Sequence, residues 1–253
     1  MRTTAMLNLK GGVAKTVTCV NMAAILAADY GRRVLVVDAD SQANTTEFFG
    51  GADGHQTLSS LLRGEYITPH ATIRHSNVKG VDLIGADDSL MDLDLSAVKS
   101  KEADVTCLDR LLASYMDEYD NVLIDCPPAF NAASAAALLA ATDVIIPIKV
   151  DAFSLRGMAN LMRQIRNMQN INPNLQLAGL LPTMTYRSEK IRKALDVLTA
   201  SDFRVYPAIR KTNKVDDMTF AQRPLIESSP HSAACVDYRR FVKAYLGGGA
   251  DRG

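Results

Sequence analysis

The sequence predicts a doubly wound α/β domain, with a mostly parallel sheet and helices on both faces. Three observations predict it. Short apolar runs without in–out alternation recur along the chain, as strands buried on both faces require. Helical patterns separate these runs, so β and α units alternate without a break. Polar residues suited to ligand binding follow the runs at Lys10–Thr16, Asp38 and Asp125, where such sheets hold their ligands. With 253 residues and 47% apolar content, the chain is long enough for one large packed domain.

Taken in order, Ala5–Leu9 is the first strand. Lys15–Asp29 is an alanine-rich helix that Gly31 stops. Arg33–Asp38 is a buried strand ending in an acid, Leu58–Leu62 a short helix and Val81–Gly85 a short strand. Ala103–Glu118 reads as an amphipathic helix, and Asn121–Asp125 as a second buried strand ending in Asp, followed by Pro127 and Pro128. Ala132–Ala141 is a small-residue helix and Val144–Val150 a strand. Leu155, Met158, Leu161, Met162, Ile165 and Met168 recur at helical spacing and form a core stripe. Leu177–Met184 is a strand, Ser188–Ala200 a helix and Ser232–Leu246 the last helix, stopped by Gly247, Gly248 and Gly249. The expected organisation is one domain over 1–246 and a flexible glycine-rich tail over 247–253.

Net charge is zero, so whole-chain charge points to no partner. The distribution is uneven: Tyr186–Leu246 carries twelve Lys/Arg against seven Asp/Glu, an excess of five. Four scattered cysteines (Cys19, Cys107, Cys126, Cys235) form no CxxC pair, which argues against a disulfide framework or zinc site and fits a reducing cytoplasm. No stretch has the ~20 apolar residues a membrane span needs, and no secretory signal region is visible. His55, His70, His75 and His231 show no ligand spacing and read as surface or loop residues.

The chemistry begins at Lys10-Gly11-Gly12-Val13-Ala14-Lys15-Thr16, between a buried strand and a helix. Unpaired amides and the dipole at a helix start attract anions. Gly11 and Gly12 let the backbone curl around phosphate. Lys15 supplies a charge for β/γ-phosphates and Thr16 a hydroxyl for Mg²⁺. The ordinary phosphate loop has glycine where Ala14 stands, and Lys10 is an additional lysine. Asp38 and Asp40 follow the second strand, and Asp125 ends another. A carboxylate beside such a loop is placed to hold Mg²⁺, often through water, which suits Asp125. Asp40 is placed to orient or deprotonate an attacking water.

The Lys10–Thr16 loop resembles the deviant Walker A box of the ParA/MinD superfamily, a P-loop NTPase group, with Lys10 at the signature lysine. Asp38-Ala39-Asp40-Ser41-Gln42-Ala43-Asn44 is similar to the switch of ParA-type partition ATPases, and Tyr119–Pro128 to their Walker B segment. Leu58–Arg63, Val81–Ala86, Ile146–Gly157, Leu181–Met184 and Ile209–Asp217 also resemble that family, so the likeness covers nearly the whole chain. The length is that of the short, Soj-like members.

The resemblance implies two protomers closed face to face on two ATP molecules, as a homodimer. It assigns Lys10, Lys15 and Asp40 to catalysis. Lys10–Val17 (Gly11, Gly12, Val13, Ala14, Lys15, Thr16 among them) and Met184 bind ATP or ADP. Thr16, Asp38 and Asp125 hold Mg²⁺. The ATP-bound dimer binds double-stranded DNA without sequence preference, and a ParB-like, centromere-bound protein stimulates hydrolysis. Arg210, Lys211 and Lys214 lie where the family places DNA-contacting residues, and the basic C-terminal quarter agrees. The expected location is the cytoplasm, on the nucleoid, with no membrane partner.

Four positions depart from the family pattern. Ala14 and Ala43 stand where glycine is usual, Ser41 where proline is usual, and Val17 where Thr or Ser is common. If Ala14 has φ > 0, strain of ~1 kcal/mol or more follows. Alternative readings are a MinD-like positioning ATPase and a non-hydrolysing ATP-dependent scaffold or regulator. MinD-type proteins usually end in a basic amphipathic helix on lipid, whereas this chain ends in a glycine-rich stretch. An iron–sulfur reductase of the nitrogenase type would need cysteines placed to share a cluster, and Cys126 reads as a small core residue.

Overall fold

The computed structural model describes residues 1–51, 56–65 and 69–247, with backbone alone for 69–70 and 152–157. His55, the side chains of His70 and Leu155, and tail residues 248–253 lie outside the described residues. Seven strands are β1 (Arg2–Met6), β2 (Val34–Asp38), β3 (Arg74–His75), β4 (Val81–Ile84), β5 (Asn121–Asp125), β6 (Asp143–Lys149) and β7 (Gln176–Thr183). The helices are α1 (Lys15–Tyr30), α2 (Asn44–Phe48), α3 (Leu58–Leu62), α4 (Pro69–Thr72), α5 (Leu95–Lys99) and α6 (Cys107–Ser114). They continue with α7 (Ala132–Ala140), α8 (Ala152–Gln169), α9 (Glu189–Thr199), α10 (Lys214–Ala221), α11 (Leu225–Ser228) and α12 (Ala233–Gly247).

The sheet order is β3-β4-β2-β5-β1-β6-β7. All neighbours are parallel except β3 against β4. The chain runs outward from β1 through β2 to one edge, returns through β5, and completes the other edge with β6 and β7. The strands at this reversal, β1, β2 and β5, carry the glycine loop, Asp38 and Asp125 at their C-terminal ends, where such sheets hold ligands. Asp38 and Asp125 lie side by side in the β2–β5 register.

Successive residues of each strand feed opposite faces. Ala5, Leu35, Val37, Val122, Ile124 and Val144 join one buried cluster, under α3 and α6–α9. Met6, Val34, Val36, Leu123 and Ile145 join the other, under α1 and α10–α12. Leu161, Met162, Ile165 and Met168 are buried, as the apolar stripe predicts.

Two of the expected elements differ from expectation by more than one residue at an end. The first strand is Arg2–Met6 instead of Ala5–Leu9. Thr3 and Thr4 look polar in sequence but are buried; β-branching suits them to a strand, and the Thr4 hydroxyl meets that of Tyr245 at 2.8 Å. The helix expected over Ala103–Glu118 is confined to Cys107–Ser114. Asp104 accepts from the amide and hydroxyl of Thr106, a local turn that competes with helix.

The terminal helix is tied to the N-terminal ends of β1 and β6. The Arg2 guanidinium meets Asp143 at 2.8 Å and lies 3.9 Å from the centre of the Tyr245 ring. Beyond β7, Val205 and Arg210 make single parallel bridges to Leu180 and Thr185. Gly179 (φ 149°) permits this approach, since a Cβ there would lie 2.6 Å from the Arg204 carbonyl oxygen. The segment so positioned brings Ile209–Asn213 beside the α1 N-terminus.

Candidate functional site

The loop between β1 and α1 is held from below. Asn8 donates to the Pro147 carbonyl at 2.8 Å and accepts from the Lys10 amide at 3.0 Å. The Thr183 hydroxyl donates to the Val13 carbonyl at 3.0 Å. Gly12 has φ 67°, and Ala14, the N-cap of α1, has φ 67° and ψ 35°. Ala14 therefore sits in the left-handed region, with the strain expected for a residue that has a Cβ. Ala43, the N-cap of α2, does the same at φ 51°. Both alanines stand where the resemblance leads one to expect glycine, and neither gives its helix a side-chain cap.

The amides of Gly11, Gly12, Val13 and Ala14 donate to no group among the described residues. Lys15 is only 7% exposed, and its ammonium makes no hydrogen bond or ion pair among them. An ammonium on so enclosed a side chain favours opposite charge nearby, and Asp125 supplies part of it. The loop thus offers free donors and a cation within seven residues, which suits an anion.

The acids complete the site. Asp125 Oδ2 accepts from the Thr16 hydroxyl at 2.6 Å and from the Thr45 hydroxyl at 2.7 Å. Its Oδ1 is buried with no hydrogen-bond partner. Asp38 Oδ2 accepts from the amide and hydroxyl of Thr46, both at 2.8 Å, and its Oδ1 from the Asp40 amide at 3.0 Å. Asp40 Oδ1 accepts from the Gln42 amide at 3.1 Å. Burial pushes both Asp38 and Asp125 above the ordinary carboxylate range. The neighbouring Asp125 raises Asp38 further, while Thr16, Thr45 and Lys15 pull Asp125 back. Two adjacent buried acids and an unsatisfied oxygen beside a threonine hydroxyl fit a hard divalent cation such as Mg²⁺. Asp125 offers the open oxygen; both oxygens of Asp38 already hold the α2 loop.

Lys10 extends away from this cluster and its ammonium sits on Asp151, 2.8 Å and 3.0 Å from the two carboxylate oxygens. Met184 (φ 54°) lines a cavity of about 110 Å³ with Ala14, Val17, Ile209, Thr212 and Asn213. A second cavity, about 280 Å³, lies beside Thr16 between α1, α2 and α10.

The three basic residues expected at DNA have different partners. The Arg210 guanidinium lies 2.7 Å and 2.9 Å from the two oxygens of Asp237, whose side chain is 5% exposed. Lys214 pairs with Asp217 at 2.9 Å. Lys211 and Arg210 line an open groove of about 900 Å³ with Tyr186, Arg187, Glu189 and Arg192. On α12, Phe241 and Tyr245 are buried, and Leu246 packs on the same core.

The four cysteines are buried and unbridged. Burial pushes the Cys19 and Cys126 thiols well above their ordinary range. His75 is exposed and pairs with Asp82 at 2.7 Å. Among the described residues no group of three or more His, Cys, Asp or Glu could hold a metal, and no helix is long and apolar enough to cross a membrane.

Sequence reasoning missed Asn8, Thr45, Thr46, Asp151 and Thr183. The one signal available was two adjacent threonines following Asn44; their partners are set by tertiary contact.

Fold and site together define a nucleotide-binding α/β protein of the phosphate-loop class, with the loop after β1 and acids ending the next two strands on one side of it, β5 and β2. Residues 1–177 match the family described as AAA domain. The chain is 31% identical to the chromosome partitioning protein ParA of Caulobacter vibrioides over 259 residues, covering 100% of this chain and 96% of that protein. It is 30% identical to the sporulation initiation inhibitor protein Soj of Bacillus subtilis, covering 97% and 98%. It therefore belongs to the ParA/Soj-type family of partition ATPases in the ParA/MinD superfamily. Among solved structures, cobyrinic acid a,c-diamide synthase from Mycobacterium smegmatis, with ADP and magnesium bound, superposes with a TM-score of 0.83. That structure is 30% identical and covers 100% of this chain and 97% of its own. McdA from Cyanothece, at 22% identity and a TM-score of 0.84, shares the fold.

Proposed function

We propose that this chain is a Mg²⁺-dependent ATPase that dimerises around ATP, binds double-stranded DNA nonspecifically and moves a chromosome, plasmid or mobile element. One observation carries the nucleotide reading: the ammonium of the largely enclosed Lys15, which makes no ion pair among the described residues, acts on the same carboxylate whose Oδ1 is buried and unpartnered, Asp125. An anion alone would satisfy only the first and a cation alone only the second. A metal-bound polyphosphate satisfies both.

The amides of Gly11–Ala14 and the Lys15 ammonium hold the β/γ-phosphates in this reading. Thr16 and Asp125 hold Mg²⁺, with Asp38 keeping the neighbouring loop in place. The bound ion supplies charge neutralisation on the phosphates. Asp40 orients or deprotonates the attacking water, and its tie to the Gln42 amide presets the carboxylate. Ala14, Val17 and Met184 line the wall offered to the nucleoside. Lys10 exchanges Asp151 for the partner's nucleotide when the dimer closes.

Lys211, Arg187 and Arg192 form the phosphate-binding groove, where nonspecific binding would weaken steeply with salt. Arg210 acts chiefly as its support through Asp237, and Lys214 stands at the rim on α10. A ParB-like partner stimulates turnover, and the protein works in the cytoplasm on the nucleoid. The partition reading is favoured over a MinD-like lipid-surface role because α12 has its apolar residues packed against the core.

The test is the solution mass of Asp40→Ala, from a 27.4 kDa chain, with ATP and Mg²⁺. The reading expects twice the chain mass with ATP, the chain mass with ADP, and hydrolysis lost in the variant but present in wild type. A persistent monomer saturated with Mg·ATP would refute the dimer, and unchanged hydrolysis in Asp40→Ala would refute the hydrolytic role.

A further inference from the structure

Thr45 opens the first turn of α2 and is fully buried. Its hydroxyl donates to Asp125 Oδ2, the oxygen that also receives the Thr16 hydroxyl. Thr46, its neighbour, gives both amide and hydroxyl to Asp38. The helix is thus fastened by two consecutive threonines to two adjacent buried acids. The Thr46–Asp38 contacts hold the Asp38–Thr46 loop and have a local explanation. The Thr45–Asp125 bond has none, because it joins residues 80 positions apart. A buried hydroxyl is costly without a partner, and a valine would fill the same space, so the bond is the feature that threonine adds here.

We propose that Thr45 is a positioning residue: it fixes the rotation of the Asp125 carboxylate and links that carboxylate to α2 and the Asp40 loop. The inference rests on the Mg-nucleotide reading above. With both threonines donating to Oδ2, the carboxylate is turned so that Oδ1 alone stays open. The Thr16 hydroxyl would share its oxygen with the cation, and Thr45 is the donor on Oδ2 that holds this rotation from the α2 side. The same bond makes the order of α2 depend on how Asp125 is engaged. Through the short loop from Asp38 to Thr46, that order reaches Asp40.

The test compares wild type, Thr45→Val, Thr45→Ala and Thr45→Ser in two measurements. The first is affinity for a fluorescent N-methylanthraniloyl ATP with Mg²⁺ and with EDTA. The second is backbone hydrogen exchange over 40–49 with and without Mg·ATP. In Thr45→Val and Thr45→Ala the gain in affinity due to Mg²⁺ should fall about tenfold, the scale of one hydrogen bond to a charged group. Affinity in EDTA should stay within about twofold of wild type, and Mg·ATP should no longer protect 44–49. Thr45→Ser should restore both. Thr45→Ala guards against a misplaced methyl in Thr45→Val. A wild-type Mg²⁺ gain in Thr45→Ala, or a loss in Thr45→Ser equal to that in Thr45→Ala, would overturn the assignment. Wild type showing no Mg²⁺ gain would instead overturn the Mg-nucleotide reading, and the inference with it.

Discussion

Replacing Ala14 with glycine should stabilise the nucleotide-free protein. Ala14 holds φ 67° and ψ 35°, and Ala43 holds φ 51° and ψ 26°. A Cβ in this region costs ~1–2 kcal/mol. Glycine removes that cost but has more freedom to lose from the unfolded chain, which offsets ~0.5–1 kcal/mol. The net gain is ~0.5–1 kcal/mol per site. For a chain of this size ~1 kcal/mol corresponds to roughly 2–4 °C, so Ala14→Gly and Ala43→Gly should each raise Tm by about 1–4 °C. The urea midpoint should rise with an unchanged slope. Calorimetry in EDTA isolates the folded-state term from ligand binding. A Tm that falls, or stays fixed in both variants, would show that the surrounding loops had already absorbed the strain.

Other outcomes follow from the same geometry. Asp151→Asn should release Lys10 and lower the ATP concentration for dimer formation by a few-fold at most, since exposed ion pairs are worth ~0.2–1 kcal/mol and these partners are 38% and 28% exposed; light scattering over an ATP series measures it. The raised protonation of Asp38 and Asp125 means the folded state holds extra protons between the ordinary carboxylate range, near pH ~4, and their elevated folded values. Their contribution to stability is therefore greatest at low pH and is lost as pH rises through those folded values. In EDTA, Asp125→Asn should gain stability relative to wild type at pH 8, and the difference should shrink towards pH 5. Lys211→Glu with Arg187→Glu should weaken DNA retention and flatten its salt dependence while leaving Tm near wild type. Arg210→Glu should lower Tm as well, because Asp237 loses its bidentate partner.

Much of the fold was legible because strands buried on both faces need continuous apolar runs, as in Val34–Val37 and Val122–Ile124. The phosphate loop and the acids at Asp38 and Asp125 were legible because each follows such a run. Where side-chain polarity and burial diverge, the reading slipped: Thr3 and Thr4 lie inside the sheet, and the first strand starts earlier than its most apolar residues suggest. Local hydrogen bonding at Asp104 shortened a helix that periodicity alone extends. Thr45 and Thr46 were invisible as site residues because their partners come from β5 and β2. The Arg210–Asp237 pair was hidden for the same reason: its acid comes from α12, 27 residues further on.

The central claim is that the Lys15 ammonium and the open oxygen of Asp125 together receive a metal-bound polyphosphate. Titration calorimetry of ATP into wild type and Lys15→Ala, each with Mg²⁺ and with EDTA, tests it most directly. Wild type should bind one ATP per chain, more tightly with Mg²⁺. Lys15→Ala should lose at least about tenfold in affinity, as expected for charge-assisted hydrogen bonds. Equal affinity in the two proteins, or a wild-type affinity indifferent to Mg²⁺, would contradict the account.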